Sequence, residues 1–164
     1  MENTTQVPPR GESAMAYFKQ GYNCAQAVFL AFGDLTGMDN ATAARLVSSF
    51  GGGMGRMREV CGAVSGALAV LGLLNGYDDP ADGAGKSRHY EDVRAFAERF
   101  KQQTGSGTII CRELLDGARV NSEAGGEPEA RTPTYYQKRP CGELCAIAAD
   151  VLDAMLRERG VMAD

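Results

Sequence analysis

The sequence predicts an all-α protein, a helical bundle of four to five main helices around a central helix rich in alanine and glycine. Three observations carry this expectation. Apolar residues recur at three- and four-residue spacing along most of the chain. No alternating strand pattern competes, since Thr108-Ile109-Ile110 is β-branched but short and isolated. Cys61 to Leu74 is apolar nearly all round and studded with small residues, the composition of a helix buried on every side. At 164 residues the chain is long enough for one domain with a substantial core.

Each element can be placed in turn. Residues 1–11 read as a flexible polar tail. From Glu12 onward Met15, Phe18, Tyr22, Ala25, Phe29 and Phe32 follow helical spacing, and Gly33 ends that helix. Asp39 or Asn40 caps a second helix, with Ala43, Leu46, Val47 and Phe50 on one face. Gly51-Gly52-Gly53-Met54-Gly55 cannot hold a helix cheaply. The central helix, Cys61 to Leu74, stops at Asn75-Gly76, and residues 78–85 form a turn-rich loop. A fourth helix spans Ser87 to Gln103, with Tyr90, Val93, Phe96, Ala97 and Phe100 facing inward, and Gly105-Ser106-Gly107 breaks it. Thr108 caps a short helix through Leu115. Residues 116–139 are polar and carry Gly125, Gly126, Pro128 and Pro133, which makes a long loop of the kind usually functional or mobile. Pro140 suits the first turn of a last helix that runs to Arg159 and ends at Gly160, so the helical unit occupies residues 12–160.

Composition excludes several function classes. The net charge is -4 and the basic residues are scattered, which gives no nucleic-acid footprint. No apolar run is long enough to span a bilayer; the best, residues 63–74, is short and contains Gly66 and Gly72. The polar N-terminus is no signal peptide, so a cytoplasmic location is expected. In that compartment five cysteines, an odd number, point to redox, catalytic or metal roles rather than permanent disulfides. His89 is the only histidine and reads as part of a solvated helix end. Gly85-Lys86-Ser87 lacks the strand and leading glycine of a phosphate loop, and Ser48, Ser49 and Ser65 lack the partners of a hydrolase triad.

The cysteines fall at meaningful places. Cys24 lies inside the first helix, Cys61 opens the central one, Cys111 sits in the first turn of the short helix, and Cys141 in the first turn of the last, with Cys145 one turn on. Three of the five therefore stand at helix N-termini, where free N–H groups and the helix dipole favour a thiolate. Arg56 and Arg58 precede Cys61, Arg112 follows Cys111, and Lys138 and Arg139 precede Cys141, all in the same sense. Cys141 and Cys145 share one helix face with β-carbons roughly 5–6 Å apart, too far for a relaxed disulfide. A single cysteine is most simply a small apolar core residue, and Cys145, beside Leu144 and Ile147, fits that reading. Three helix-start cysteines with basic neighbours argue instead for a functional cluster.

The residues that carry a resemblance are Ala14-x3-Phe18-x2-Gly21-x-Asn23-Cys24-Ala25-Gln26-Ala27-Val28, then Phe50-Gly51-Gly52-Gly53-Met54-Gly55, then Cys61-Gly62-Ala63-Val64-Ser65-Gly66. With Cys111 and a late cysteine they resemble the redox-active protein family named for its four cysteines and written C_GCAxxG_C_C, over about Ala14 to Leu156. The chain reads Cys61-Gly62-Ala63 where the label has G-C-A. Pro140-Cys141-x2-Leu144 fits the last family position, with Cys145 the alternative.

The resemblance implies redox activity, and related domains fused to multihaem cytochromes imply an iron–sulfur centre. Cys24, Cys61, Cys111 and Cys141 would then be four thiolate ligands, with Gly62 beside them and Cys145 a spare. A second reading is a metal-free thiol oxidoreductase, in which Cys61 attacks as a low-pKa thiol and Cys141 or Cys111 resolves. A third is a zinc-binding or ligand-binding helical module without catalysis; the lack of close Cys-x-x-Cys pairs ranks zinc lower. No Cys-x-x-Cys-His is present, so no c-type haem is expected. The expected partner is a redox protein, with no nucleic acid and no membrane. The Ala and Gly faces of the central helix would also permit a homodimer.

Overall fold

The computed structural model describes residues 8–162. The described residues contain four helices of ten or more residues: α1 (Arg10–Lys19), α6 (Gly62–Asn75), α7 (Gly83–Thr104) and α10 (Cys141–Glu158). Six shorter helices join them: α2 (Cys24–Leu30), α3 (Gly33–Thr36), α4 (Asn40–Leu46), α5 (Gly51–Met54), α8 (Cys111–Gly117) and α9 (Pro133–Lys138). The only sheet-like feature among them is an isolated antiparallel bridge between Val60 and Ile110. The all-α bundle read from the sequence is the fold, and no described helix is long and apolar enough to cross a membrane.

Helix α6 is central, as its composition predicts. It packs against α2 on one side and α10 and α7 on the others. Ala63, Val64, Ala67, Val70 and Leu71 are buried along it. Its small residues decide how near the neighbours come: a β-carbon on Gly66 would stand 2.5 Å from the Ala25 carbonyl oxygen. The rest of the core is aromatic and aliphatic, with Phe18, Phe29, Phe32, Phe96, Phe100, Leu152, Met155 and Leu156 all nearly inaccessible. Phe96 and Phe100, one turn apart on α7, stack at 6.4 Å.

Several elements differ from the sequence reading. Part of the expected tail, residues 1–7, lies outside the described residues, but Arg10 and Gly11 are helical and buried. The Arg10 guanidinium pairs with Asp34 and Asp153, gives Nη1 to the Ala31 carbonyl at 2.9 Å, and lies over the Phe32 ring. The Gly11 N–H donates to Asp150 on α10 at 2.7 Å, so side-chain partners from distant helices draw the start of α1 back to Arg10.

The expected single helix from Glu12 to Phe32 is two. The chain turns at Gly21, where φ is +105°, and restarts at Asn23, whose side chain accepts from the Gln26 N–H while the Gln26 side chain accepts from the Asn23 N–H. Leu46 and Tyr90, read as core, are 57% and 46% exposed. Leu46 ends α4 before its apolar face closes. Tyr90 instead packs edge-on against Tyr77 at the surface. Thr108 does not cap α8; its hydroxyl accepts from the Ile110 N–H instead. The long loop is shorter than expected, because α8 continues to Gly117 and α9 begins at Pro133 behind the Thr132 cap.

Candidate functional site

The break at Gly21–Asn23 changes the chemistry of Cys24. Instead of lying inside a helix, Cys24 is the first residue of α2. Cys111 and Cys141 are likewise the first residues of α8 and α10, and Cys61 is the N-cap of α6. Cys24, Cys61, Cys111 and Cys141 therefore all stand at helix starts, one more than the sequence predicts, and all four line one cavity of about 350 Å³. Gly62 lines it too. Cys145 does not; it is fully buried behind the wall, and its Sγ donates to the Cys24 carbonyl at 3.7 Å.

Backbone contacts hold the four starts together. The Cys61 N–H donates to the Ile109 carbonyl at 2.8 Å and the Cys111 N–H to the Glu59 carbonyl at 2.6 Å, so the Val60–Ile110 bridge clamps two of the cysteine-bearing segments side by side. A β-carbon on Gly62 would meet the Phe50 carbonyl at 2.9 Å and Cys24 Cβ at 3.2 Å; one on Gly53 would meet Cys111 Cβ at 2.7 Å. These glycines bring the cysteines near one another, as expected of a glycine loop beside a site. The loop also runs left-handed. Gly52, Gly53 and Gly55 have positive φ, and so do Met54, Arg56 and Arg58, at 66°, 65° and 60°. Each such non-glycine residue costs roughly 1–3 kcal/mol. The turn is held by bonds from the Arg58 N–H to the Gly52 carbonyl and from the Glu59 N–H to the Gly53 carbonyl.

Replacing Asn23 by alanine removes both the cap of α2 and the amide bond to the Ser48 carbonyl. The expected loss is about 1–2 kcal/mol of stability, read as a lower urea midpoint with unchanged slope.

Four arginines line the same cavity: Arg56, Arg58, Arg131 and Arg139. Three of them strap residues 118–132 over it. Arg56 Nε donates to the Gly125 carbonyl, Arg58 Nε to that of Glu123, and Arg139 Nη1 to that of Asn121. Arg131 anchors the far end of the strap on the Phe18 and Tyr22 carbonyls and stacks over the Phe18 ring at 4.2 Å. Among the described residues Glu129 is the only carboxylate in the lining, and it is paired to Arg139. Arg131, Tyr135 and Glu129 had no local signal in the sequence. Arg58 was expected to serve Cys61, yet its Nη1 reaches Cys111 Sγ at 3.8 Å. Arg112 turns away to the Met57 carbonyl, and Lys138 is exposed outside the cavity. His89 rests edge-on against Tyr77, while Asp92 pairs with Arg159.

The thiols do not behave as helix starts alone would dictate. Burial pushes Cys61 up to about 12, the opposite of the low-pKa nucleophile expected there, although the N–H groups of Ala63 and Val64 pull it down. For Cys24 a hydrogen bond from Cys141 pulls down, but its own bond to Cys145, burial and the neighbouring thiols win and hold it well above the usual range. Cys141 is raised by its bond to Cys24 and by burial. Burial also raises Cys111 against the pull of Arg58, and Cys145 against that of Cys24. Desolvation and crowding of like groups thus outweigh the dipole.

This has a consequence for pH. An unfolded thiol loses its proton near pH 8.5, whereas the folded ones keep theirs higher. Above about pH 8.5 the folded chain then binds more protons than the unfolded one, and stability falls as pH rises toward 12 for Cys61. The slope is about 1.4 kcal/mol per pH unit for each thiol still protonated. The urea midpoint of the reduced, metal-free chain should drop between about pH 8.5 and 10, and less steeply in Cys61→Ala.

Residues 22–155 match the protein family described as "Putative redox-active protein (C_GCAxxG_C_C)". The chain belongs to this family. The match runs from just before Cys24 to the last turn of α10, so the four cavity cysteines and Cys145 all fall within it. No curated protein matches the chain, and no solved structure does.

The donor set of the C_GCAxxG_C_C site is all sulfur. The four cavity thiols stand around its wall, and among the described residues no three cysteine, histidine, aspartate or glutamate side chains already converge on a single-ion position. A tetrahedral zinc would need sulfurs about 3.8 Å apart, from its 2.3 Å bonds. A polynuclear iron–sulfur cluster, in which different irons carry different cysteines, spaces its thiolates more widely. The residues present fit such a group in donor type, in number and in the positive surroundings that offset thiolate charge.

Proposed function

We propose that the protein is an electron-transfer protein in which Cys24, Cys61, Cys111 and Cys141 hold an iron–sulfur cluster. One observation supports this above the others: four helix starts, far apart in the chain, each present a cysteine to the same cavity. The cluster would supply one-electron redox chemistry. The chain supplies the rest. Helix N–H groups and Arg58 and Arg139 stabilise negative charge on the sulfurs, and Gly126, Pro128, Glu129 and Arg131 of the strap form part of the cavity wall. Since the thiols are protonated at neutral pH, loading would release protons and favour mildly alkaline conditions. Anaerobic purification followed by iron and acid-labile sulfide analysis and a visible spectrum tests the reading. Near-stoichiometric iron and sulfide with broad visible absorbance are expected; a colourless, iron-free protein after reconstitution overturns it.

A metal-free thiol oxidoreductase is the second reading, favoured by the placement of Cys24 and Cys141 in one cavity lining, at the first residues of α2 and α10. It moves the reactive pair away from Cys61. Mass-spectrometric mapping after mild oxidation should then find a Cys24–Cys141 disulfide, and a free pair under those conditions would eliminate it.

A further inference from the structure

Arg58 is charged, 4% exposed, and pairs with no carboxylate among the described residues. Its Nε is satisfied by the Glu123 carbonyl at 3.1 Å and its Nη1 faces Cys111 Sγ at 3.8 Å. Its Nη2 is buried with no hydrogen-bond partner. A buried guanidinium with an orphan donor is costly unless an anion completes it. None of the three other arginines of the cavity has a buried donor left without a partner: Arg56 gives Nε to Gly125 at the exposed edge, Arg131 is held by two carbonyls and the Phe18 ring, and Arg139 by Glu129. The Glu129–Arg139 pair shows that this wall already accepts a carboxylate against a guanidinium, and Arg58 presents the same chemistry without its own counter-ion.

We infer that the cysteine cavity binds a small oxyanion, a carboxylate or a phosphate, on Arg58 Nη2 beside Cys111, as the substrate or effector of the redox site. The planar fork of arginine suits both oxyanions. The left-handed backbone at Arg58 is held by its N–H bond to the Gly52 carbonyl, and Arg58 shares the cavity lining with Cys111 and with Gly126, Pro128 and Glu129 of the strap. The inference rests on the redox reading for its purpose, not for the binding itself.

The test is calorimetric titration of the full-length chain with acetate and, separately, with inorganic phosphate, at constant ionic strength. It is run on anaerobically isolated protein of measured iron content and again after iron chelation. Saturable binding of either anion to at least one form is expected, weakened about 10- to 100-fold in Arg58→Met and less in Arg58→Lys, as loss of a charge-assisted hydrogen bond requires. Which anion binds identifies the class. Should Arg58→Met fail to fold, the wild-type chelated chain decides: a saturating anion must slow alkylation of Cys111 more than that of the other cysteines. No saturable binding in either form, equal binding by a folded Arg58→Met, or unprotected Cys111 overturns the inference. Iron content separates the two readings, because an iron-free protein with Arg58-dependent anion binding removes the cluster and keeps the anion site.

Discussion

Gly66→Val is expected to cost about 3 kcal/mol or more and to leave a chain that is largely unfolded at modest urea. A β-carbon there would sit 2.5 Å from the Ala25 carbonyl oxygen and about 3 Å from the Ala25 backbone carbons, and none of these can swing aside as a side-chain tip would. Helices α2 and α6 must separate, and Cys24 moves with its neighbour Ala25. The same helix carries its own control. Gly72 has open space, with nothing nearer to a new β-carbon than His89 Nε2 at 3.9 Å, so Gly72→Ala should stabilise by roughly 0.5–1 kcal/mol through helix propensity. Opposite shifts in urea midpoint at two glycines six residues apart would separate close helix approach from helix propensity. Equal destabilisation at both would mean that backbone approach at Gly66 is not what positions α2.

The contrast between those glycines shows how far the sequence could be read. Its period of 3.6 located the long helices, and its small residues marked α6 as central. What periodicity could not show was the break after Lys19, because Phe18, Tyr22, Ala25 and Phe29 keep helical spacing across a turn. The signal that did exist was chemical: Gly21, then Asn23 three residues before Gln26, a capping pair that outweighs a continuing apolar stripe. Helix α9 was hidden in the same manner, its Thr132-Pro133 start lost in a polar stretch. No local rule announces positive φ at Met54, Arg56 and Arg58; only the bonds across the loop stabilise it. The arginines of the cavity were legible as residues but not as a set, since Arg131 and Arg139 reach the site only through tertiary packing. The four cysteines singled out in the sequence do line one cavity. The pKa of Cys61 was read in the wrong direction, because a helix start is visible in sequence and desolvation is not.

Under the proposed iron–sulfur reading, serine at Cys24, Cys61, Cys111 or Cys141 is expected to lower bound iron at least about tenfold in each case, since all four line the cavity and second-sphere changes alone cost that much in metal sites. Cys145→Ala should keep its iron and visible spectrum. The thiol of Cys145 faces the Cys24 carbonyl inside the core, so the change removes a weak hydrogen bond and a small volume, about 1–2 kcal/mol of stability. The two effects fall on different measurements. Cavity substitutions should lose iron while the reduced chain stays folded, because the Phe29, Phe32, Phe96, Phe100 and Leu152 core does not depend on a bound group. Cys145→Ala should lose stability and keep iron. If Cys145 proved necessary and Cys141 dispensable, α10 would have to slide along its axis by about one turn, roughly 6 Å, to bring its second cysteine to the cavity, and the ligand set would become Cys24, Cys61, Cys111 and Cys145.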